Sequence, residues 1–159
     1  MFDRCLDRAF GSREVAACIA QRCAARGIAY NNTKIQKLLY CVYGAILAAH
    51  GVQICREKPR AWPYGPVFPR VFMHIYKGYD IARYPQTLSS RLSGVEMADI
   101  RRVVDFFGRY SVGQLVEWSR SPGSPWLKAV TVHAHGSIWN GELRNEDIVR
   151  YFRKHVVNV

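Results

Sequence analysis

The chain lacks the short motifs that mark the common enzyme classes. It contains no G-x-x-x-x-G-K-[ST] or G-x-G-x-x-G phosphate cradle, no H-E-x-x-H zinc pair and no G-x-S-x-G nucleophile elbow. It also lacks a C-x-x-C pair, and its 5 cysteines are an odd number, which fits reduced, structural thiols better than a disulfide framework. We therefore predict a protein that is not an enzyme and that needs no cofactor.

Long apolar runs are absent as well. The longest, over residues 38–49, contains Gly44 and two tyrosines and falls short of the roughly 18 residues that cross a bilayer. Near the N-terminus Asp3, Arg4, Asp7 and Arg8 stand where an export signal would be apolar. The sequence thus predicts a cytoplasmic protein without a membrane span, and the length of 159 residues suits one domain over residues 1–159.

Acidic residues are few: the chain has 12 Asp and Glu against 23 Lys and Arg, which gives a formal net charge of +11. Such an excess favours an acidic partner, either a protein or a nucleic acid. Arginine outnumbers lysine, but its planar fork pairs equally with carboxylates and phosphates. Charge alone therefore leaves the two kinds of partner open.

Hydrophobic periodicity predicts a mainly α fold: one compact multi-helix domain around a buried central helix, with a minor short β element. The central helix should begin after Asn31-Asn32-Thr33 and end at His50-Gly51, because its apolar residues cover most of the circumference. Further helices are predicted at 12–26 with a Ser12 cap, 66–77, 93–110, after Ser111, after Ser124, and from an Asn145 cap. Residues 79–93 are predicted as a surface loop with a strand at 81–84.

The segment Ala61-Trp62-Pro63-Tyr64-Gly65-Pro66-Val67 stands out because two X-Pro steps flank a glycine. Residues before proline avoid helical backbone, so we predict a stiff, irregular loop over residues 62–67. Its aromatic rings, together with Trp126, suit a binding hot spot. They equally suit core positions with hydrogen-bonded tips, and at least one of them is expected to be no more than that.

One narrow side of the central helix combines two lysines with small residues, namely Lys34, Lys37, Cys41, Gly44 and Ala48. The small residues favour close packing of another element of the same protein, and a partner segment is the alternative. The lysines, placed at the entrance of this side, also contribute to a basic surface on which nucleic acid is a secondary partner. A helix this apolar does not fit a recognition helix in a DNA groove.

His133 and His135 alternate as two metal ligands on a strand would, but no cysteine or carboxylate stands at ligand spacing nearby. The sequence therefore favours no metal site.

Two motifs in fixed order resemble the Panacea-domain family, also called SocA-like or phage-associated GepA-like proteins. They are Lys34-Ile35-Gln36-Lys37-Leu38-Leu39-Tyr40 and the 61–67 segment, followed by Leu115 and Ser124-Pro125-Trp126 and by a closing I-x-x-Y-F-type helix at 148–152. Ile35 replaces a more usual leucine, and Ser119-Arg120 replaces a frequent Thr-His pair.

The resemblance implies an antitoxin that neutralises a cognate toxin by direct contact. One branch of the family resembles adaptors that deliver a toxin to a AAA+ protease, and a basic nucleic-acid-binding or autoregulatory protein is the further alternative. The net charge adds the expectation of an acidic toxin surface. The residues that we predict to contact the partner are Lys34, Gln36, Lys37, Tyr40, Trp62, Tyr64, Gly65, Pro66 and Trp126.

Overall fold

Helices dominate the computed structural model, which describes residues 9–131 and 139–156. The elements in chain order are α1 (Ser12–Arg26), α2 (Asn32–His50), β1 (Arg60–Trp62), β2 (Gly65–Val67), α3 (Pro69–Tyr76), α4 (Leu88–Arg91), α5 (Gly94–Phe107), α6 (Val112–Ser119), α7 (Pro125–Thr131) and α8 (Asn145–His155). The two strands form a small antiparallel sheet. The predicted mainly α domain with a minor β element is confirmed.

The long helix α2 lies at the centre of the fold. It packs against α1, α3, α5, α6, α8 and β2, and nearly all of its residues from the first turn to Ala48 are buried. Asn31 caps its N-terminus, where the side chain accepts a hydrogen bond from the backbone N–H of Lys34 at 2.8 Å. Gly51 ends the helix in the left-handed region with φ 66°. The predicted buried central helix is therefore confirmed.

Two other helix starts follow their sequence signatures. Ser93 with Glu96 and Ser111 with Gln114 each form a complete capping box, in which the serine accepts from the third residue and the third side chain accepts from the serine N–H. Ser124 also accepts from the backbone N–H of Leu127, at 3.1 Å. These local signals involve only neighbouring residues, which explains why they are readable from sequence.

The predicted caps at Ser12 and Asn145 are wrong. Gly11 precedes α1, and the Ser12 hydroxyl donates instead to the Glu57 carboxylate. Asn145 is the first residue of α8 and is buried; its side chain accepts from the Tyr43 hydroxyl at 2.7 Å. Both residues have a more distant partner in the fold, and this interaction replaces the local cap.

The small-residue side of α2 faces α8. A Cβ added at Gly44 would lie 2.4 Å from the Phe152 ring, so only glycine lets the ring approach the backbone this closely. Packing against another element of the same protein, favoured above for these small residues, is confirmed for Gly44.

The region between α3 and α5 differs from its prediction. Residues Ile81–Arg83 form a 3₁₀ turn, capped by the Asp80 side chain, where a strand was predicted. Part of the predicted loop is helix α4. The capping carboxylate of Asp80 stabilises the turn over the extended conformation.

The described cysteines Cys18, Cys23, Cys41 and Cys55 are free and buried, and burial raises the pKa of each thiol. Residues 9–131 and 139–156 contain no group of side chains able to hold a metal. Cys5, His133 and His135 lie outside the described residues. No described helix combines the length and apolar character that crossing a bilayer requires.

Candidate functional site

The predicted irregular loop is a regular β-hairpin. Trp62 pairs with Gly65 across a two-residue turn formed by Pro63 and Tyr64, and Ala61 pairs with Pro66. The Trp62-Pro63 step favours extended backbone at Trp62, the last residue of β1, whereas Gly65 before Pro66 has a positive φ of 107°. Pro66 donates no hydrogen bond, which a two-stranded ribbon tolerates. The predicted irregularity is therefore wrong, and the stiffness of the segment stays a prediction.

Helix α2 supports this hairpin from the inside through two polar side chains. The Lys37 Nζ donates to the Pro66 carbonyl at 2.9 Å, and the Gln36 side chain accepts from the Phe68 N–H at 2.8 Å. Gln36 is itself oriented by donating to Asn32 at 3.1 Å. Both supporting side chains are about 1% exposed. Their position supports the strand β2 and leaves almost no surface for a partner.

Gly65 lies where the hairpin meets α2 and α6. Its φ is 107°, and an added Cβ would lie 2.5 Å from the Ser119 Oγ and 2.9 Å from the Lys37 Cε. Glycine is thus required both by the backbone conformation and by the close approach of two side chains.

Burial lowers the pKa of Lys37 to about 7; Cys41 raises it and the Arg120 guanidinium lowers it further, each to a lesser degree. No carboxylate among the described residues forms an ion pair with this amine. An amine with such a pKa suits proton transfer in an open pocket. Because this one is about 1% exposed behind the hairpin, its geometry serves support rather than chemistry.

The outer side of the hairpin is held by α7 and the residue after α6. The Trp126 Nε1 donates to the Trp62 carbonyl at 2.7 Å, and Arg120 donates to the Pro63 carbonyl at 2.9 Å. The Arg120 guanidinium lies 5.8 Å from the centre of the Trp126 ring. Trp126 is therefore a buried aromatic with a hydrogen-bonded tip, which is the core role considered for these rings and not the hot-spot role.

A segment before α8 extends the hairpin on its β1 edge. The Asn140 N–H donates to the Ala61 carbonyl at 2.7 Å, and the Ala61 N–H donates to the Gly141 carbonyl at 2.8 Å. The Asn140 side chain also accepts from the Trp62 Nε1 at 3.0 Å. These long-range contacts fix the Trp62 ring, and no local sequence pattern indicates them.

The hairpin and α3 carry four aromatic residues that we call the aromatic face, namely Trp62 and Tyr64 of the hairpin and Phe72 and Tyr76 of α3. The Trp62 and Phe72 rings meet edge to face at 5.1 Å, and the Phe72 and Tyr76 rings stack at 5.9 Å. Tyr64 and Tyr76 are 72% and 73% exposed. The sequence predicted a helix here, but neither Phe72 nor Tyr76 was named as a candidate contact residue. A signal for them was present in the sequence. Val71 and Ile75 form one i,i+4 pair on α3, and Phe72 and Tyr76 form a second i,i+4 pair on a neighbouring face of the same helix.

Two residues predicted to contact the partner lie away from the hairpin. The Lys34 Nζ donates to the carbonyls of Gly108, at 2.8 Å, and of Tyr110. The Tyr40 ring is buried at 5.4 Å from the Phe152 ring, and its hydroxyl has no hydrogen-bond partner among the described residues. Since both Lys34 and Lys37 are buried, the predicted contribution of these lysines to a basic surface is wrong.

The sequence model described as "Antitoxin SocA-like, Panacea domain" matches residues 35–127. This chain belongs to that family. Antitoxin SocA of Caulobacter vibrioides (strain NA1000 / CB15N) is 32% identical over 132 residues, which cover 72% of this chain and 68% of that protein. No solved structure matches the chain. The resemblance stated from the motifs is confirmed, and the family supports an antitoxin role.

The part matched by the SocA-like family contains the hairpin and most of its supports. It runs from α2 into the first turn of α7 and includes Lys37, Gly65 and Ser119. Ser119-Arg120 stands where the resembling family often has a Thr-His pair. In this chain Arg120 donates to the Pro63 carbonyl in the hairpin turn.

Proposed function

We propose that this SocA-like chain neutralises a cognate toxin by direct protein–protein contact, and that the aromatic face is the contact surface. The observation that carries the proposal is the exposure of Tyr64 and Tyr76 beside the packed rings of Trp62 and Phe72. Tyrosine and tryptophan are enriched among residues that dominate binding energy at protein interfaces. The proposed role is binding, without an enzymatic step.

The rigidity of the hairpin supports this assignment. Lys37 and Gln36 hold β2 from α2, while Trp126 and Arg120 hold β1 and the turn. A surface already ordered in the free protein loses less conformational entropy on binding than a mobile loop. The hairpin backbone can therefore present Tyr64 with a smaller ordering penalty than a mobile loop would incur.

The charge of the chain supports a toxin with an acidic surface. The net charge is +11, because 23 Lys and Arg outnumber 12 Asp and Glu. Complementary charge accelerates encounter, while the aromatic anchors determine how long the complex lasts.

Among the nine residues predicted to contact the partner, we assign direct contact to Trp62 and Tyr64 and a positioning role to the hairpin supports. Gln36, Lys37 and Trp126 reach the hairpin through hydrogen bonds, and Gly65 and Pro66 are part of it. Substituting these supports should weaken toxin binding through displacement of the hairpin.

The test is the affinity of the purified chain for its toxin. Tyr64→Ala and Tyr76→Ala should each weaken binding by roughly 10-fold or more. Val95→Ala, which truncates a 66% exposed side chain on α5, is the control and should leave affinity unchanged. Unchanged affinity in both tyrosine variants, with native circular dichroism, would refute this contact surface.

A further inference from the structure

A cationic depression of about 420 Å³ lies between the start of α1 and α3, away from the buried supports of the hairpin. Its lining includes Arg13, Arg70, His74, Lys77 and Tyr79. We call it the cationic depression. Three permanent positive charges and a histidine therefore surround one space large enough for a small organic ligand.

These cations have no acidic partner within the described residues. Arg13, Arg70 and Lys77 form no ion pair there, whereas Arg22 on α1 pairs with Asp105 at 2.6 Å. Uncompensated positive charges around one concave site repel each other and attract an anion.

The two carboxylates adjacent in sequence are engaged elsewhere. Glu14 accepts hydrogen bonds from the N–H and hydroxyl of Thr87, at 2.6 and 2.7 Å. Asp80 accepts from the Ala82 N–H at 3.1 Å and caps the 3₁₀ turn. Neither carboxylate forms an ion pair with Arg13, Arg70 or Lys77 within the described residues.

Aromatic rings contact two of the side chains that line the cationic depression, Arg13 and His74. The Arg13 guanidinium lies 5.1 Å from the Tyr84 ring centre, and the His74 ring contacts both Tyr84 at 5.5 Å and Tyr79 at 5.1 Å. The Tyr79 ring is stacked on His74 with an interplanar angle of 27° and is 62% exposed. It therefore offers an accessible π surface next to the cations.

We propose that the cationic depression binds an organic polyphosphate of the nucleoside diphosphate or triphosphate class. Its phosphates would pair with Arg13, Arg70 and Lys77, and its base would stack on Tyr79. A polyphosphate brings several negative charges into one compact space, whereas a peptide carboxylate brings a single charge. Arginine forks match phosphate oxygens, and bases stack on exposed aromatic rings. This site is independent of the proposed toxin contact.

The test is calorimetric titration of the purified chain, without any toxin, with ADP and with inorganic pyrophosphate at low salt. Saturable one-to-one binding of both is expected. Arg70→Ala and Lys77→Ala should each weaken it roughly 10-fold. Tyr79→Ala should weaken ADP but leave pyrophosphate unchanged, which separates stacking from charge.

The matched control is the double variant Arg153→Ala/Lys154→Ala, which removes two exposed positive charges from α8. It changes the net charge as much as Arg70→Ala/Lys77→Ala does and should alter affinity less than about twofold, since only diffuse attraction is lost. The proposal would be overturned if no saturable binding were seen, or if the two double variants weakened binding equally. It would also be overturned if an acidic peptide bound more tightly than ADP. Thermal unfolding verifies that each variant is folded.

Discussion

Gly65→Ala is the substitution that most directly tests how the hairpin is held. The glycine has φ 107°, and an alanine Cβ would meet the Ser119 Oγ at 2.5 Å and the Lys37 Cε at 2.9 Å. Both approaches are well below the roughly 3.5–4.0 Å of an ordinary contact. The hairpin must therefore move away from α2 and α6, or the two side chains must be displaced.

The expected loss of stability has two parts. Left-handed backbone costs a residue with a Cβ about 1–2 kcal/mol, and overpacking of a well-packed site costs about 1–3 kcal/mol. The sum is about 2–5 kcal/mol, a large share of the roughly 5–15 kcal/mol that stabilises a typical domain.

Equilibrium urea unfolding of both Gly65→Ala and Gly123→Ala measures the difference. Gly123 has φ 78° but no atom within 4 Å of an added Cβ, so its variant should lose only the backbone part, about 1–2 kcal/mol. In a Ser119→Ala background the cost of Gly65→Ala should fall, because one of the two clashing atoms is gone. Equal losses at Gly65 and Gly123 would refute the crowding argument.

Three further predictions concern the supports and the core. Because the folded Lys37 pKa is about 7 and the unfolded value is about 10.4, the unfolded chain binds more protons above pH 7. The difference between the unfolding free energies of the wild type and of Lys37→Met should therefore be constant below pH 7. It should then rise toward pH 8.5, by up to about 1.4 kcal/mol per pH unit. A difference that stays flat across this range in urea titrations would contradict the lowered pKa. Gly44→Ala should destabilise by about 1–3 kcal/mol despite the better helix propensity of alanine, since the Phe152 ring lies within 2.4 Å of the new Cβ; Phe152→Leu should reduce that cost, and a stabilising Gly44→Ala would show that the helices can separate. Trp126→Phe removes the donor to the Trp62 carbonyl and should cost about 1–3 kcal/mol in urea unfolding, whereas an unchanged midpoint and slope would mean that this hydrogen bond contributes nothing.

The parts of the fold that were predictable depend on local or periodic signals. The capping boxes at Ser93 and Ser111 involve residues three apart, and the central position of α2 follows from apolar residues around its circumference. The strand at 81–84 was wrongly predicted because the turn is stabilised by the Asp80 side chain, a competing local interaction.

The placement of Lys34 and Lys37 could not be predicted in this way. Lysine on a helix is normally solvated, and their burial depends on backbone carbonyls of Gly108 and Pro66, which come from distant parts of the chain.

The hairpin was missed because Pro63-Tyr64 is not one of the glycine- or asparagine-rich pairs that signal two-residue turns. The sequence singled out the 61–67 segment as a candidate contact, but only the long-range contacts distinguish exposed Tyr64 from the supports beneath it.

Co-expression with the gene adjacent to this one tests most directly whether the chain neutralises a toxin by contact. The neighbour alone should arrest growth, this chain should restore growth, and the two proteins should co-purify at moderate salt. The double variant Tyr64→Ala/Tyr76→Ala should lose both rescue and complex while remaining folded. Rescue accompanied by disappearance of the neighbour would contradict inhibition by a stable complex and favour delivery to a protease. A harmless neighbour with no complex would contradict its assignment as the toxin partner.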